Sequence, residues 1–117
     1  MNNIVQDPFP DPTQACQPFE AAMRLLGRRW AGAVVRAMLA GAQRFGEIRE
    51  AAPGITDAVL SARLRELCEM GLARRDVTPT TPVTVRYRLT RAGRDLEPVL
   101  AAVQAYGERH RRLLDGR

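Results

Sequence analysis

The sequence contains no lysine: its 18 basic residues are all arginine, set against 13 carboxylates, for a formal charge of +5. It has one histidine, His110, and two cysteines, Cys16 and Cys68, far apart along the chain. That scarcity leaves no spacing from which a zinc site can be assembled, and in a chain of cytosolic character it argues against an intrachain disulfide. No glycine-rich phosphate loop is present, and no histidine stands near a serine or cysteine, so nucleophilic catalysis has little to work with. The expectation is a non-enzyme with no metal, no cofactor and no catalytic residues. No apolar run reaches the roughly 18 residues of a membrane span, so no membrane partner is expected. The stretch from Met1 to Pro12 holds Asn, Gln, Asp and three prolines, with neither a basic start nor an apolar segment. Residues 1–15 therefore read as a flexible arm rather than a signal peptide, and the expected location is cytoplasmic.

What is present suits one folded domain. The chain has 117 residues, 45% of them hydrophobic, enough for a modest core but not for two. Exclusive use of arginine is compatible with a GC-rich coding bias, yet the excess charge itself would attract a polyanion, more so in a dimer. Arginine also forks onto phosphate and guanine better than lysine does.

Periodicity orders the chain. Phe19–Leu26 reads as a short amphipathic helix stopped by Gly27. A second helix spans Trp30–Leu39, with Val34, Val35, Met38 and Leu39 as its buried stripe and Gly41 at its end. Phe45–Ala51 is a third, anchored by Phe45 and Ile48, and Ala52-Pro53-Gly54-Ile55 is the turn that follows. A fourth runs from Thr56 to Met70 and stops at Gly71. The period then changes to two around Leu72–Val77 and Thr84–Leu89, which predicts a β-hairpin with the stiff tip Thr78–Val83. Thr90 is expected to cap one long last helix with the stripe Leu96, Val99, Leu100, Val103 and Tyr106, bent by Pro98 inside it. Trp30, Phe45 and Tyr87 are expected core anchors. The fold class is mainly α with a small β-hairpin: a winged helix-turn-helix.

The fourth helix carries the functional signal. Leu60, Leu64 and Leu67 share one face, while Ala58, Ser61, Ala62 and Arg65 lie opposite, small and polar as a helix entering a DNA major groove must be. Thr56 sits where an N-cap belongs.

At this point the sequence resembles the HxlR family of bacterial regulators, relatives of the MarR group. The landmarks run in order from Cys16 and Pro18 through Gly27-Arg28-Arg29-Trp30, Arg44-Phe45-Gly46-Glu47-Ile48 and Pro53-Gly54-Ile55-Thr56. They continue through Leu60-Ser61-Ala62-Arg63-Leu64-Arg65-Glu66-Leu67, Gly71-Leu72, Tyr87-Arg88-Leu89-Thr90-Arg91-Ala92-Gly93 and Leu96-Glu97-Pro98-Val99-Leu100. The resemblance implies a homodimeric transcription factor on a pseudo-palindromic operator, dimerising through its N- and C-terminal helices. Some members sense electrophiles or oxidants through a cysteine near the N-terminus, which makes Cys16 a candidate redox sensor and leaves a small-molecule or oxidant effector unidentified. Three positions depart from the pattern. Asp57-Ala58 replaces a basic start to the recognition helix, Arg86 replaces a glutamate before the strand tyrosine, and Gln17 separates Cys16 from Pro18.

The expected DNA-contacting set is Arg44, Thr56, Asp57, Ala58, Ser61, Arg63, Arg65, Arg86 and Arg88. Arg65 either reads DNA or pairs with Glu69 one turn on. Arg63 either reaches a phosphate or serves the core with its stem. Arg86 and Arg88, two apart on a strand, suit a minor groove or its phosphates, unless they form a plain solvated face. Arg49 is a second candidate for a phosphate on the third helix, and Asp57 could accept from a cytosine amino group. Leu96, Val99, Val103, Tyr106, Gly107 and His110 form the expected dimer seam. The domain boundaries are residues 1–15 for the arm, 16–112 for the winged helix-turn-helix domain with its dimerisation helices, and 113–117 for a tail. The alternative function is a winged-helix protein–protein interaction module whose affinity for DNA has weakened, with Asp57-Ala58 as its trace.

Overall fold

The computed structural model describes residues 16–116, without the side chain of Cys16; the expected arm and that thiol lie outside the described residues. The elements are α1 (Cys16–Leu26), α2 (Ala31–Leu39), α3 (Phe45–Ala51), α4 (Asp57–Glu69), β1 (Ala73–Thr78), β2 (Thr84–Leu89), α5 (Arg91–Arg94), α6 (Glu97–Arg109) and α7 (Arg111–Asp115). The first helix begins at Cys16, three residues ahead of the expected Phe19.

The core lies where α2, α3 and α4 meet. Val34, Val35, Ile48, Leu60, Leu64 and Leu67 are its largest fully buried side chains. Val34 and Val35 come from α2, Ile48 from α3, and the three leucines from positions three or four apart on α4. Removing a leucine of this kind from water is worth about 1.5–3 kcal/mol. Trp30, Phe45 and Tyr87 pack against the cluster from its rim and stay partly exposed.

Local chemistry sets the helix ends. The Thr56 hydroxyl accepts from the Val59 N–H at 3.2 Å and caps α4. At the other end Gly71 adopts φ 78°, and the N–H groups of Gly71 and Leu72 return to the carbonyls of Cys68 and Leu67. That double return is a Schellman stop, which a side chain at Gly71 would strain.

The hairpin is antiparallel, with Ala73 opposite Leu89, Arg75 opposite Tyr87 and Val77 opposite Val85. Its inner edge is bonded to the α2–α3 connection, the Tyr87 N–H donating to the Gln43 carbonyl at 2.8 Å. The base of the hairpin is seated on the end of α4. Thr90 donates from its hydroxyl to the Gly71 carbonyl at 2.7 Å and from its N–H to the Leu72 carbonyl at 3.0 Å. The same hydroxyl accepts from the Gly93 N–H. A Cβ on Gly93 would lie 2.1 Å from the Leu72 oxygen and 3.0 Å from Leu89 Cδ2, so only glycine fits this approach.

The last helix differs from expectation. Thr90 caps only the four-residue α5, and the chain turns at Asp95–Leu96 before α6 begins. Pro98 stands in the first turn of α6, not in a helix interior. There its missing N–H removes no helical hydrogen bond, so it starts the helix rather than bending it. His110, at φ −117° and ψ 32°, separates α6 from α7. The boundary expected at residue 112 falls inside α7, so the beginning of the expected tail is helical.

Candidate nucleic-acid interface

α4 presents two faces of opposite character. Leu60, Leu64 and Leu67 are buried, whereas Asp57, Ala58, Ser61, Arg65 and Glu69 are exposed. The exposed face is nearly flat from Ala58 to Ser61, with Arg65 standing one turn further on. Arg65 makes no hydrogen bond or ion pair among the described residues, so the alternative pairing with Glu69 is not formed.

Arg63 occupies neither open solvent nor the outer face. Its Nε donates to the Arg29 carbonyl at 2.9 Å and its Nη1 to Glu66 Oε1 at 2.7 Å, with the side chain 16% exposed. Arg28 reaches the same carboxylate at 3.5 Å. These bonds strap the back of α4 to the α1–α2 connection. Its Nε and Nη1 are thereby occupied in that strap.

Thr56 is a cap, as its position required. Asp57, the carboxylate at the tip of α4, is held by Arg49 of α3, Nη1 to Oδ1 at 2.9 Å. The bonded carboxylate holds the Arg49 guanidinium above its ordinary range. Its members stand eight positions apart across a Pro-Gly turn, so no local pattern announces the pair.

A second basic group flanks the start of α3. Glu47 accepts from the backbone N–H groups of Gln43 and Arg44 at 3.0 and 3.1 Å, which closes the first turn of α3. Those two bonds, with the nearby Arg44 and Arg86 guanidiniums, hold its carboxyl below the usual range. Arg44, the N-cap residue of α3, and Arg86 of β2 are thus neighbours of one carboxylate. On the outer face of the hairpin, Arg74 stands opposite Arg88 and Asp76 opposite Arg86. Arg88 Nε bonds Asp76 Oδ2 at 3.0 Å, so one of the two expected wing arginines is already paired. Strand register adds Arg74 to this face.

The expected dimer residues divide. Leu96 packs against the core with the buried Leu100. Val99, Val103 and Tyr106 are exposed on α6, and the Tyr106 and His110 rings lie 4.7 Å apart. Leu113 and Leu114 of α7 and Phe19 and Met23 of α1 are exposed as well. Gly107 borders a groove of about 500 Å³ between α2 and α6–α7, lined also by Gly32, Ala33, Arg36, Val103 and Leu114.

Cys68 is half-buried beside the core, and burial pushes its thiol up, away from the reactive thiolate. Among the described residues no three His, Cys, Asp or Glu side chains gather in a way that could hold a metal ion. No helix among them is long and apolar enough to cross a membrane.

Comparison with known proteins agrees with this architecture. Residues 25–114 match a family profile described as HxlR-like helix-turn-helix. YvaP of Bacillus subtilis (strain 168), named as an uncharacterized HTH-type transcriptional regulator, is 42% identical over 94 residues, 80% of this chain and 87% of its own. The HTH-type transcriptional regulator YodB of the same organism is 40% identical over 93 residues, 80% of this chain and 83% of its own. Among solved structures, the redox regulator HypR in its reduced form superposes with a TM-score of 0.78 at 36% identity, covering 86% of this chain and 100% of that one.

Proposed function

The chain belongs to the HxlR-like helix-turn-helix family and is a DNA-binding transcriptional regulator, and on that premise we propose that it acts as a homodimer on a pseudo-palindromic operator. α4 enters the major groove with Ala58, Ser61 and Arg65 toward the bases. The hairpin lies over the flanking minor groove with Arg86, supported by Arg44 and Arg74 at the phosphates. The observation that carries the reading is the divided character of α4: its apolar face is consumed by its own core while its small polar face stays open. Two such helices related by a dyad about 34–36 Å apart would match half-sites one turn apart.

The dimer itself is supported by apolar exposure. Helices that leave Val103, Tyr106 and Leu113 in solvent are what a partner's helices would cover. We assign the seam to Val99, Val103, Tyr106, Gly107 and His110, with Leu96 left to the core.

The protein is read as working in the cytoplasm without catalysis. The interaction-module alternative drew on the bare carboxylate of Asp57, and the Arg49 partner removes that support. Cys16 keeps its candidacy as a sensor through the likeness to HypR, whose solved form is named as the reduced state of a redox regulator.

The test is fluorescence anisotropy with duplexes from the promoter of the protein's own gene, titrated across salt. Binding that prefers one duplex over scrambled DNA, and falls steeply with salt, supports the reading. Absence of any preferred sequence in a genome-wide selection at low salt would overturn it. For Cys16, an oxidant should release DNA from the wild type and not from Cys16→Ser.

A further inference from the structure

At the tip of a DNA-reading helix an aspartate is out of place, because it would face phosphates of its own sign. Asp57 is not alone, however. Arg49 Nη1 lies 2.9 Å from Asp57 Oδ1, a bond that ties the last part of α3 to the first residue of α4 across the Pro53–Gly54 turn. We propose that Arg49 is a base-reading residue, and that Asp57 is the positioning residue that holds its guanidinium for that task. The proposal rests on reading α4 as the helix that enters the groove.

The pair is built for recognition more than for stability. Both side chains are largely in solvent, 48% and 67% exposed, and an ion pair so exposed is a weak stabiliser. Only Nη1 of Arg49 has an acceptor among the described residues. A guanidinium carries five N–H donors, so most of the fork remains open. Guanine offers two acceptors, O6 and N7, that match two parallel donors of one guanidinium. A free arginine must lose rotamer freedom to make that contact, whereas one already fixed by a carboxylate loses less. Gly46 lies on the other side: a Cβ there would stand 4.0 Å from Arg49 Nη2, in ordinary contact. Glu50 is the other carboxylate acting on Arg49, and it too favours the charged fork.

The arrangement makes a prediction that a surface ion pair would not. Asp57→Ala removes a negative charge from a surface facing DNA, so binding to arbitrary DNA should tighten. If Asp57 positions a base reader, binding to the preferred sequence should weaken at the same time. Specific and non-specific affinity should move in opposite directions.

The experiment begins with selection of duplexes from a random pool by the wild-type protein. Selected and scrambled duplexes are then titrated against wild type, Arg49→Ala, Asp57→Ala and the double variant, with circular dichroism melts to verify that each folds. The expected result is a loss of roughly 10- to 100-fold on the selected duplex for Arg49→Ala, with one guanine per half-site no longer selected. Asp57→Ala should lose part of that preference while binding scrambled DNA more tightly, and should cost no further preference once Arg49 is gone. Equal loss by Arg49→Ala on every duplex, with a salt slope shallower by about one, would make Arg49 a phosphate contact and overturn the proposal. So would an Asp57→Ala variant that selects the wild-type sequence unchanged. A wild type that selects no sequence would instead remove the DNA-reading premise, a separate and recognisable failure.

Discussion

α4 and α6 are both helices of 13 residues, and the fold uses them in opposite ways. α4 places three leucines in the core, each essentially inaccessible, and leaves a face almost without apolar groups. α6 buries only Leu100 and leaves Val99, Val103 and Tyr106 in solvent. The difference teaches where each helix gets its stability. α4 is held by its own chain on one side, capped by Thr56, stopped at Gly71 and strapped by Arg63. α6 rests on α2 through Leu100, whose Cδ2 would sit 3.7 Å from a Cβ on Gly32, and Val99, Val103 and Tyr106 stay exposed among the described residues. A surface of the first kind can afford to face a polyanion; one of the second kind needs a second apolar surface.

The sharpest way to break this comparison is to shorten one apolar residue in each helix. Leu64→Ala should cost about 2–5 kcal/mol in urea denaturation, because it opens a cavity in a close-packed site. Val103→Ala should change monomer stability by no more than about 0.5 kcal/mol, and Val103→Glu should shift sedimentation toward the single-chain mass. Comparable losses at the two positions would erase the distinction. Next in size is Gly93→Ala, at the joint between hairpin and α5, where the clash with the Leu72 backbone should cost about 1–3 kcal/mol by the same measurement. Full retention of stability would mean that the hairpin base is not seated on the end of α4. Thr56→Ala should remove about 1 kcal/mol of α4 stability, with Thr56→Ser restoring most of it.

The smallest effect concerns pH. The Glu47 carboxyl is held below its ordinary range, chiefly by the N–H groups of Gln43 and Arg44. Its contribution is therefore fully present above the unfolded-state value and is lost as pH falls through the lower folded-state value. Wild type and Glu47→Gln should differ in urea midpoint near neutral pH and converge as the solution is acidified below the ordinary carboxylate range. A constant difference across that range would place the role of Glu47 in packing rather than charge.

The helix-turn-helix was legible because its signals are local. α3 runs from Phe45 to Ala51 as its apolar spacing required, and α4 matches its expected span once the cap residues Thr56 and Met70 are set outside it. Proline, glycine and threonine at the joints act through the backbone of their immediate neighbours, so no tertiary knowledge is needed to read them. The C-terminal helix misled for the reverse reason. The apolar stripe starts only at Leu96 and so gives no sign of a break between Thr90 and Glu97, and Pro98 is compatible with either a bend or a first turn. What decides is the seating of Thr90 and Gly93 on Leu72, a contact between positions about twenty residues apart.

The arginines mark the boundary between the two kinds of knowledge. Composition alone established a basic, lysine-free chain with few catalytic or metal-binding groups, and helical and strand periods established which segments present a basic face. Neither could say which guanidiniums are free. Arg63 is bonded to a carbonyl 34 residues away, Arg49 to a carboxylate in the next helix and Arg88 to one on the neighbouring strand, while Arg65 has none of these. An arginine side chain is long and its charge permanent, so its partner depends on which elements the fold brings within reach. The sequence by itself determined the elements and the polarity of their faces; the tertiary structure decided which partner each of those charges meets.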